Sequence, residues 1–224
     1  MVSIIIPVLN EEKNIERILR GIEAIKEDKE IIVVDGGSTD KTVEVAAKLA
    51  KIVLGRKGRA YQMNLGAKAA KGDILWFIHA DSVIENNSLK EMEKAVKEGY
   101  IGGGFSLKFI DYDTLFMKYI AVTSNLRAKY FGLYFGDQGI FVRRDAFEEV
   151  GGYPLQELME DWELSLSMKK IGKLKLIKTS IGTSARRFKK GGQLRTHLLM
   201  HKIKLLYLLG TPPDKLANIY REVR

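Results

Sequence analysis

The strongest constraint on the fold is the opening pattern: a short run of β-branched residues, a turn with a carboxylate, then a helix, all repeated at once. Val2–Val8 is nearly all apolar and too short for a buried helix, so it predicts a buried strand. Asn10 is the expected N-cap of the following helix. A second strand at 31–34 and the turn GGSTD precede another helix from Thr42, with Ser38 or Thr39 as its expected cap. This alternation predicts a parallel sheet with right-handed crossovers.

Two further strands, at 51–54 and 74–78, complete four strands and three helices within the first eighty residues. The second half is less regular. It predicts strands at 102–109, 140–142 and 174–177, and helices at 89–97, 114–129, 161–171 and 193–209. We therefore expect an α/β protein whose mostly parallel central sheet is flanked by helices.

The charge of the chain is concentrated at one end. Of the net charge of +9, the segment from residue 186 onward contributes +8, from ten Lys and Arg against two Asp and Glu. Such a tail attracts nucleic acid, acidic lipid or a diphosphate. The nearly neutral remainder argues against a nucleic-acid-binding protein, because such a protein spreads Lys and Arg over its recognition face.

The absence of cysteine excludes a disulfide framework, thiolate catalysis and cysteine-ligated zinc. No basic segment with an apolar core precedes the first strand, and no apolar run is long enough to cross a bilayer. The cytoplasm is the expected location.

Carboxylates follow three of the predicted strands. Asp35 comes directly after IIVV, where it would either contact a base or ribose or be a turn aspartate that caps the next helix. Glu11, after the first strand, is equally suited to a first helical turn. His79 and Asp81 follow ILWFI, and a carboxylate there would hold Mg²⁺ or Mn²⁺ together with phosphate oxygens.

Further candidates lie at helix starts. Asp161, after Glu160, is either an N-cap or a general base. Arg59 opens a helix after a basic loop, and Arg186 and Arg187 are adjacent, so each pattern fits either phosphate binding or simple solvation. The pair at 197 and 201 lacks the intervening glutamate of a zinc motif, so we interpret both histidines as structural.

Taken together, SIIIPVLNEE, VVDGGSTD, GRAYQMNLGA, the HAD after a strand, and MEDWEL resemble family 2 glycosyltransferases of the GT-A fold. The match extends over about residues 2–190. Within that family the chain is similar to short stand-alone members that carry GRAxQMNxGA and SARRF, a group associated in part with arsenosugar-type pathways.

The resemblance implies a role for each matching residue. Asp161 would be the base of an inverting transfer, and Asp81 would bind a divalent metal, Mn²⁺ or Mg²⁺. The first Asp of the family's D-x-D motif is His79 here, which makes His79 a weak second metal candidate. The remaining roles are nucleotide binding by Pro7, Glu11, Asp35, Arg59 and Ala80, and stabilisation of the leaving diphosphate by Arg186 and Arg187.

The implied organisation is a GT-A domain at 1–190, with a nucleotide-binding half at 1–100 and an acceptor half at 101–190, and a helical extension at 191–224. The donor would be a UDP- or GDP-sugar, whereas the acceptor and the oligomeric state are not specified.

Two other enzyme classes are alternatives to a glycosyltransferase of this family. A polyprenyl-phosphate sugar synthase would act at the inner membrane face, with the basic tail as a peripheral contact. A nucleotidyltransferase fits less well, because the first loop, PVLNEE, has no glycine-rich signature.

Overall fold

The computed structural model describes residues 1–222, so the last two residues of the predicted extension at 191–224 lie outside the described part. Its sheet has seven strands in the order β3-β2-β1-β4-β6-β5-β7. The strands are β1 (Val2–Val8), β2 (Lys29–Asp35), β3 (Lys51–Leu54), β4 (Ile74–Phe77), β5 (Gly102–Phe109), β6 (Ile140–Arg143) and β7 (Leu174–Thr183).

The first five helices are α1 (Glu12–Glu23), α2 (Thr42–Ala46), α3 (Arg59–Ala69), α4 (Ser88–Lys97) and α5 (Leu115–Phe131). The next five are α6 (Arg144–Glu149), α7 (Glu160–Ile171), α8 (Arg186–Gly191), α9 (Gln193–Leu208) and α10 (Pro213–Glu222), and a 3-10 turn at Gly136–Gln138 precedes β6.

Strand direction brings the loops of interest to one edge of the sheet. β1 runs parallel to β2 and β4, and Val8 lies opposite Asp35 at their carboxyl ends. β6 is antiparallel to β4, with Ile140 opposite Phe77, so the turn before β6 lies at this same edge. β5 is antiparallel to β6 and parallel to β7, which therefore also ends there. The expected mostly parallel sheet is confirmed.

Helices cover both faces of the sheet, which explains why most residues of the central strands are apolar. Ile4, Ile6 and Trp76 face a core with α1, α2 and α4, whereas Ile5 and Phe77 face a core with α3, α5, α6 and α7. A smaller apolar cluster packs α9 and α10 against the start of α7. Its buried members are Met159, Ile203 and Leu216.

The predicted N-cap is wrong. Asn10 has a positive φ of 55°, and Glu11 takes the N-cap position without a side-chain cap. The Asn10 side chain accepts from the Thr39 backbone N–H at 2.9 Å. The Asn10 backbone N–H donates to Ser38 Oγ at 2.9 Å. Ser38 and Thr39 therefore join the β1–α1 and β2–α2 loops instead of capping α2.

Other differences concern lengths and short helices. α2 ends at Ala46 rather than 50, and β7 continues to Thr183 because it pairs with β5 across a register shift. The prediction also missed the short helices α6 and α8.

Candidate active site

The carboxyl ends of β1 and β2 are held together by a buried glutamine. Gln62 Nε2 donates to the carbonyl oxygens of Val8 at 2.9 Å and Val34 at 2.8 Å. Asp35, also buried, accepts from the backbone N–H groups of Gly37 at 2.9 Å and Ser38 at 3.0 Å. Asp35 thus orders its own turn but does not cap α2, whose N-cap position is Lys41, and its contact with a nucleotide stays a prediction.

A first charged cluster gathers three predicted residues from distant parts of the chain. Arg186 Nη2 lies 3.5 Å from Glu11 Oε1 and 3.5 Å from Asp81 Oδ2. Glu11 comes after β1, Asp81 after β4, and Arg186 after β7, so the shared sheet edge brings them together. Burial raises the pKa of Asp81, the positive charge of Arg186 opposes that rise, and Glu11 adds to it. We call these three residues the donor-side cluster.

A second cluster forms at the start of α7. Arg59 donates from Nε to Glu160 Oε1 at 2.5 Å and from Nη2 to Asp161 Oδ2 at 2.5 Å. Both carboxylate side chains are only 2% exposed, so the guanidinium provides the charge compensation that buried carboxylates require. We call these three residues the carboxylate cluster.

Asp161 retains a free oxygen in this arrangement. Its Oδ2 also accepts from the Gly136 backbone N–H at 2.9 Å, whereas Oδ1 has no hydrogen-bond partner among residues 1–222. Burial raises the pKa of Asp161 to about 7, Arg59 opposes the rise, and Glu160 adds to it. Such a carboxyl group can accept a proton near neutral pH, as a general base must.

His79 contacts the carboxylate cluster. Its Nε2 is 3.2 Å from Arg59 Nη1, and because a guanidinium can only donate, Nε2 must be the acceptor. Burial and the charges of Arg59, Arg187 and Arg186 lower the pKa of His79 to about 3. The neutral ring thus uses its Nε2 lone pair on Arg59, and metal binding by His79 stays a prediction.

The Gly136 position is crowded by both groups. A Cβ atom there would lie 2.6 Å from His79 Nε2 and 3.1 Å from Asp161 Oδ2. Only glycine lets the turn before β6 approach this closely.

The two adjacent arginines have different surroundings. Arg186 belongs to the donor-side cluster. The Arg187 guanidinium instead lies over the Tyr220 ring of α10, 4.3 Å from the ring centre. Pro7 lies opposite Val34 in the sheet, and Ala80 is buried between His79 and Asp81.

Sequence reasoning missed the groups beside the Gly136 turn. The Arg127 guanidinium lies 4.4 Å, and the Lys204 amine 5.4 Å, from the centre of the Phe135 ring. Burial and Arg127 lower the pKa of Lys204 to about 8. Asp137, whose pKa is raised by burial, has an unpartnered Oδ1. The sequence signal in this region is GDQG at residues 136–139, a pattern that indicates a turn and no particular function.

The predicted site residues therefore form two neighbouring clusters at one edge. His79 and Asp81, two residues apart, connect the carboxylate cluster to the donor-side cluster. Asp35 and Pro7 lie on strands that end at the same edge. No group of three His, Asp or Glu suited to holding a metal ion occurs within the described part of the chain. Among the helices of residues 1–222, none has the length and apolarity to cross a membrane.

The chain is similar in sequence to glycosyltransferases. The family model described as "Glycosyl transferase family 2" matches residues 3–151. "Probable glycosyltransferase YdaM" of Bacillus subtilis (strain 168) is 26% identical over 199 residues, covering 76% of this chain and 47% of the relative. An undecaprenyl-phosphate 4-deoxy-4-formamido-L-arabinose transferase of Photorhabdus laumondii is 28% identical over 156 residues, covering 63% and 48%. The chain thus spans about half the length of these relatives.

Solved structures support the fold. A mannosyltransferase of Pyrobaculum calidifontis, PcManGT, in complex with GDP-Man and Mn²⁺, has a TM-score of 0.65 at 19% identity, covering 99% of this chain and 69% of that structure. S. aureus TarS 1-349 in complex with UDP-GlcNAc has a TM-score of 0.66 at 18% identity, covering 83% and 58%. The GT-A fold expected from the sequence is confirmed by these similarities.

Proposed function

The chain belongs to glycosyl transferase family 2, and on that premise we propose that it transfers a sugar from a UDP- or GDP-sugar to an acceptor hydroxyl, with inversion at the anomeric carbon. The observation that carries the proposal is Asp161: a buried carboxylate with one free oxygen and a pKa raised to about 7. It adjoins the donor-side cluster at the sheet edge where α/β proteins bind nucleotides.

The donor-side cluster fits a divalent ion together with a diphosphate. Glu11 and Asp81 point hard oxygen ligands at one cationic position, because the same Arg186 nitrogen is 3.5 Å from both. Mg²⁺ and Mn²⁺ prefer such oxygens and are commonly completed by phosphate and water. We therefore assign Asp81, with help from Glu11, to hold the ion. A bound divalent ion would supply positive charge that stabilises the negative charge of the leaving diphosphate. PcManGT, with its GDP-Man and Mn²⁺, lends support by similarity of fold.

The chemistry assigned to the protein is a single displacement. Asp161 Oδ1 accepts the proton of the acceptor hydroxyl as the hydroxyl oxygen bonds to the anomeric carbon and the bond from that carbon to the diphosphate oxygen breaks. Arg59 holds Asp161 in place through Oδ2 and leaves Oδ1 free. Arg186 and Arg187 stabilise the growing negative charge on the diphosphate. One displacement needs no covalent sugar intermediate, so an α-linked donor gives a β-linked product.

A second candidate is transfer to a lipid phosphate, and one specific observation favours it. Arg127 and Lys204 both lie over the Phe135 ring, next to the turn that contacts Asp161, so an anionic acceptor would meet two cations there. The Photorhabdus laumondii relative is described as an undecaprenyl-phosphate transferase.

The donor half of the proposal is tested by thermal shift. UDP, GDP and their sugar conjugates are added with and without Mn²⁺ to the parent, to Asp81→Asn and to the exposed control Asp73→Asn. We expect one diphosphate series with Mn²⁺ to raise the Tm of the parent and of Asp73→Asn, and the metal-dependent part of the rise to vanish in Asp81→Asn. No stabilisation of the parent by either series would contradict nucleotide-sugar binding.

The transfer half is tested with the donor so identified. Acceptors of two kinds, saccharides with free hydroxyls and a short polyprenyl phosphate, are offered separately. NMR of the product reads the anomeric configuration. Inversion with a saccharide supports the first candidate, product only with the lipid phosphate supports the second, and retention of configuration refutes the displacement mechanism.

A further inference from the structure

Helix α5 exposes a row of large apolar side chains opposite its buried face. Met117, Ile120 and Ala128 face the protein interior. The opposite face carries exposed residues at spacings of three and four, so they form one stripe along the helix; this α5 row comprises Leu115, Tyr119, Val122, Leu126 and Tyr130. Their exposed fractions range from 46% at Leu126 to 85% at Leu115.

Helix α9 shows the same arrangement. Thr196 and Ile203 are buried, whereas the other face exposes four leucines, again at helical spacing; this α9 row comprises Leu194, Leu198, Leu205 and Leu208. Each of the four is at least 58% exposed. A helix with apolar residues on both faces normally lies between two apolar surroundings.

The two rows lie on neighbouring helices, which contact each other in their first turns. Thr114 donates to Gln193 at 3.1 Å where both helices begin. The rings of Phe116 and His197 are 5.4 Å apart. Monomeric proteins rarely expose contiguous apolar surface on this scale without a partner for it.

The charged residues within the two helices are all of one sign, and one of them, Lys118, pairs with Asp113 just before α5 at 3.0 Å. Neither Leu115–Phe131 nor Gln193–Leu208 contains Asp or Glu. With about 100° of rotation per residue, Lys118 and Lys129 lie on the side of the α5 row away from α9. By the same measure, Arg195 and Lys202 lie on the side of the α9 row away from α5. All four cations are exposed, so a basic margin runs along both outer edges.

From this arrangement we propose that the α5 and α9 rows rest on an anionic lipid bilayer. The leucines and tyrosines would enter the headgroup boundary, where tyrosine is favoured, and the lysine and arginine margins would contact acidic headgroups. A second copy of the chain fits less well, because basic margins would face basic margins across such an interface. The contact is independent of the proposed transfer, since it requires neither donor nor acceptor.

Vesicle flotation tests the proposal with the full chain. Vesicles of phosphatidylcholine alone are compared with vesicles of phosphatidylcholine and phosphatidylglycerol, at low and high salt. We expect flotation with the anionic vesicles only, decreasing as salt screens the charges. Leu126→Gln with Leu198→Gln, one change in each row, should lower the partition coefficient by about tenfold or more. Lys129→Gln with Lys202→Gln should lower it by roughly fivefold for each cation removed.

Matched controls lie elsewhere on the surface. Leu54→Gln with Leu155→Gln changes two leucines that are 72% and 70% exposed, and Lys90→Gln with Lys94→Gln removes two cations from α4, on the other face of the sheet. Both controls should float like the parent. The proposal is overturned if the parent stays with the soluble fraction at low salt, or if the controls lose flotation as much as the row variants. Sedimentation equilibrium showing a dimer that Leu126→Gln with Leu198→Gln dissociates would assign the surface to a second copy instead.

Discussion

Replacing Glu160 with glutamine should move the pH dependence of transfer in a direction that the carboxylate cluster specifies. Transfer requires ionised Asp161, so kcat/KM should rise with pH through a pKa of about 7. Glu160 raises this pKa through its negative charge, and Glu160→Gln removes that charge while keeping an oxygen for Arg59 Nε. Removing one close like charge lowers a carboxyl pKa by about one unit or more.

The size of the effect follows from the ionised fraction. With a pKa of about 7, roughly a tenth of Asp161 is ionised at pH 6. If the variant's pKa is about 6, roughly half is ionised at that pH. The activity at pH 6, relative to the plateau above pH 8, should therefore increase about fivefold in Glu160→Gln.

The assay is a pH series of kcat/KM for donor consumption, with the parent, Glu160→Gln and the exposed α6 variant Glu149→Gln compared in the same buffers. Glu149→Gln loses the same charge at an exposed position that is not among the groups shifting the pKa of Asp161, and it should follow the parent. An acid limb that stays in place in Glu160→Gln, or moves to higher pH, would refute the assignment of Asp161 as the base under the influence of Glu160.

Three further predictions concern neighbouring groups. Because the folded-state pKa of Asp161 is raised, its favourable contribution is present below pH 4 and lost as pH rises through about 7, so the Tm of Asp161→Asn should gain on that of the parent between pH 5 and 8 in thermal melts. Arg186→Gln should bind Mn²⁺ more tightly than the parent without nucleotide, since a competing cation is gone from Asp81, and should bind a nucleoside diphosphate more weakly; calorimetry that finds both affinities unchanged would contradict the cluster. Gly136→Ala should displace His79 or Asp161 and lower kcat by at least tenfold while costing about 1–3 kcal/mol of stability, whereas an active variant with the parent's pH profile would show that the turn tolerates a Cβ.

The strand and helix pattern was largely predictable because it depends on local periodicity. Val2–Val8, for example, is nearly all apolar. Such a short apolar run is typical of a strand that is covered on both faces. The local signals failed where a distant segment intervened. Asn10 was expected to cap a helix, but its side chain accepts from Thr39, about thirty residues away in sequence. The end of β7 was missed because its pairing with β5 across a register shift is a contact between distant residues.

The sequence by itself determined which chemical groups stand at the ends of three strands: a carboxylate at the end of β2 and one after each of β1 and β4. It determined this because strand ends and turns are set by residues a few positions apart. The tertiary structure alone decided the pairing of those groups. The Arg59 guanidinium joins Glu160 and Asp161, more than a hundred residues later, and its expected place near the nucleotide stays a prediction. Arg186 meets Glu11 and Asp81 because sheet order brings β7 to their edge. Charge pairing depends on distances in space, and a linear spacing carries no information on those distances until the strand order is known.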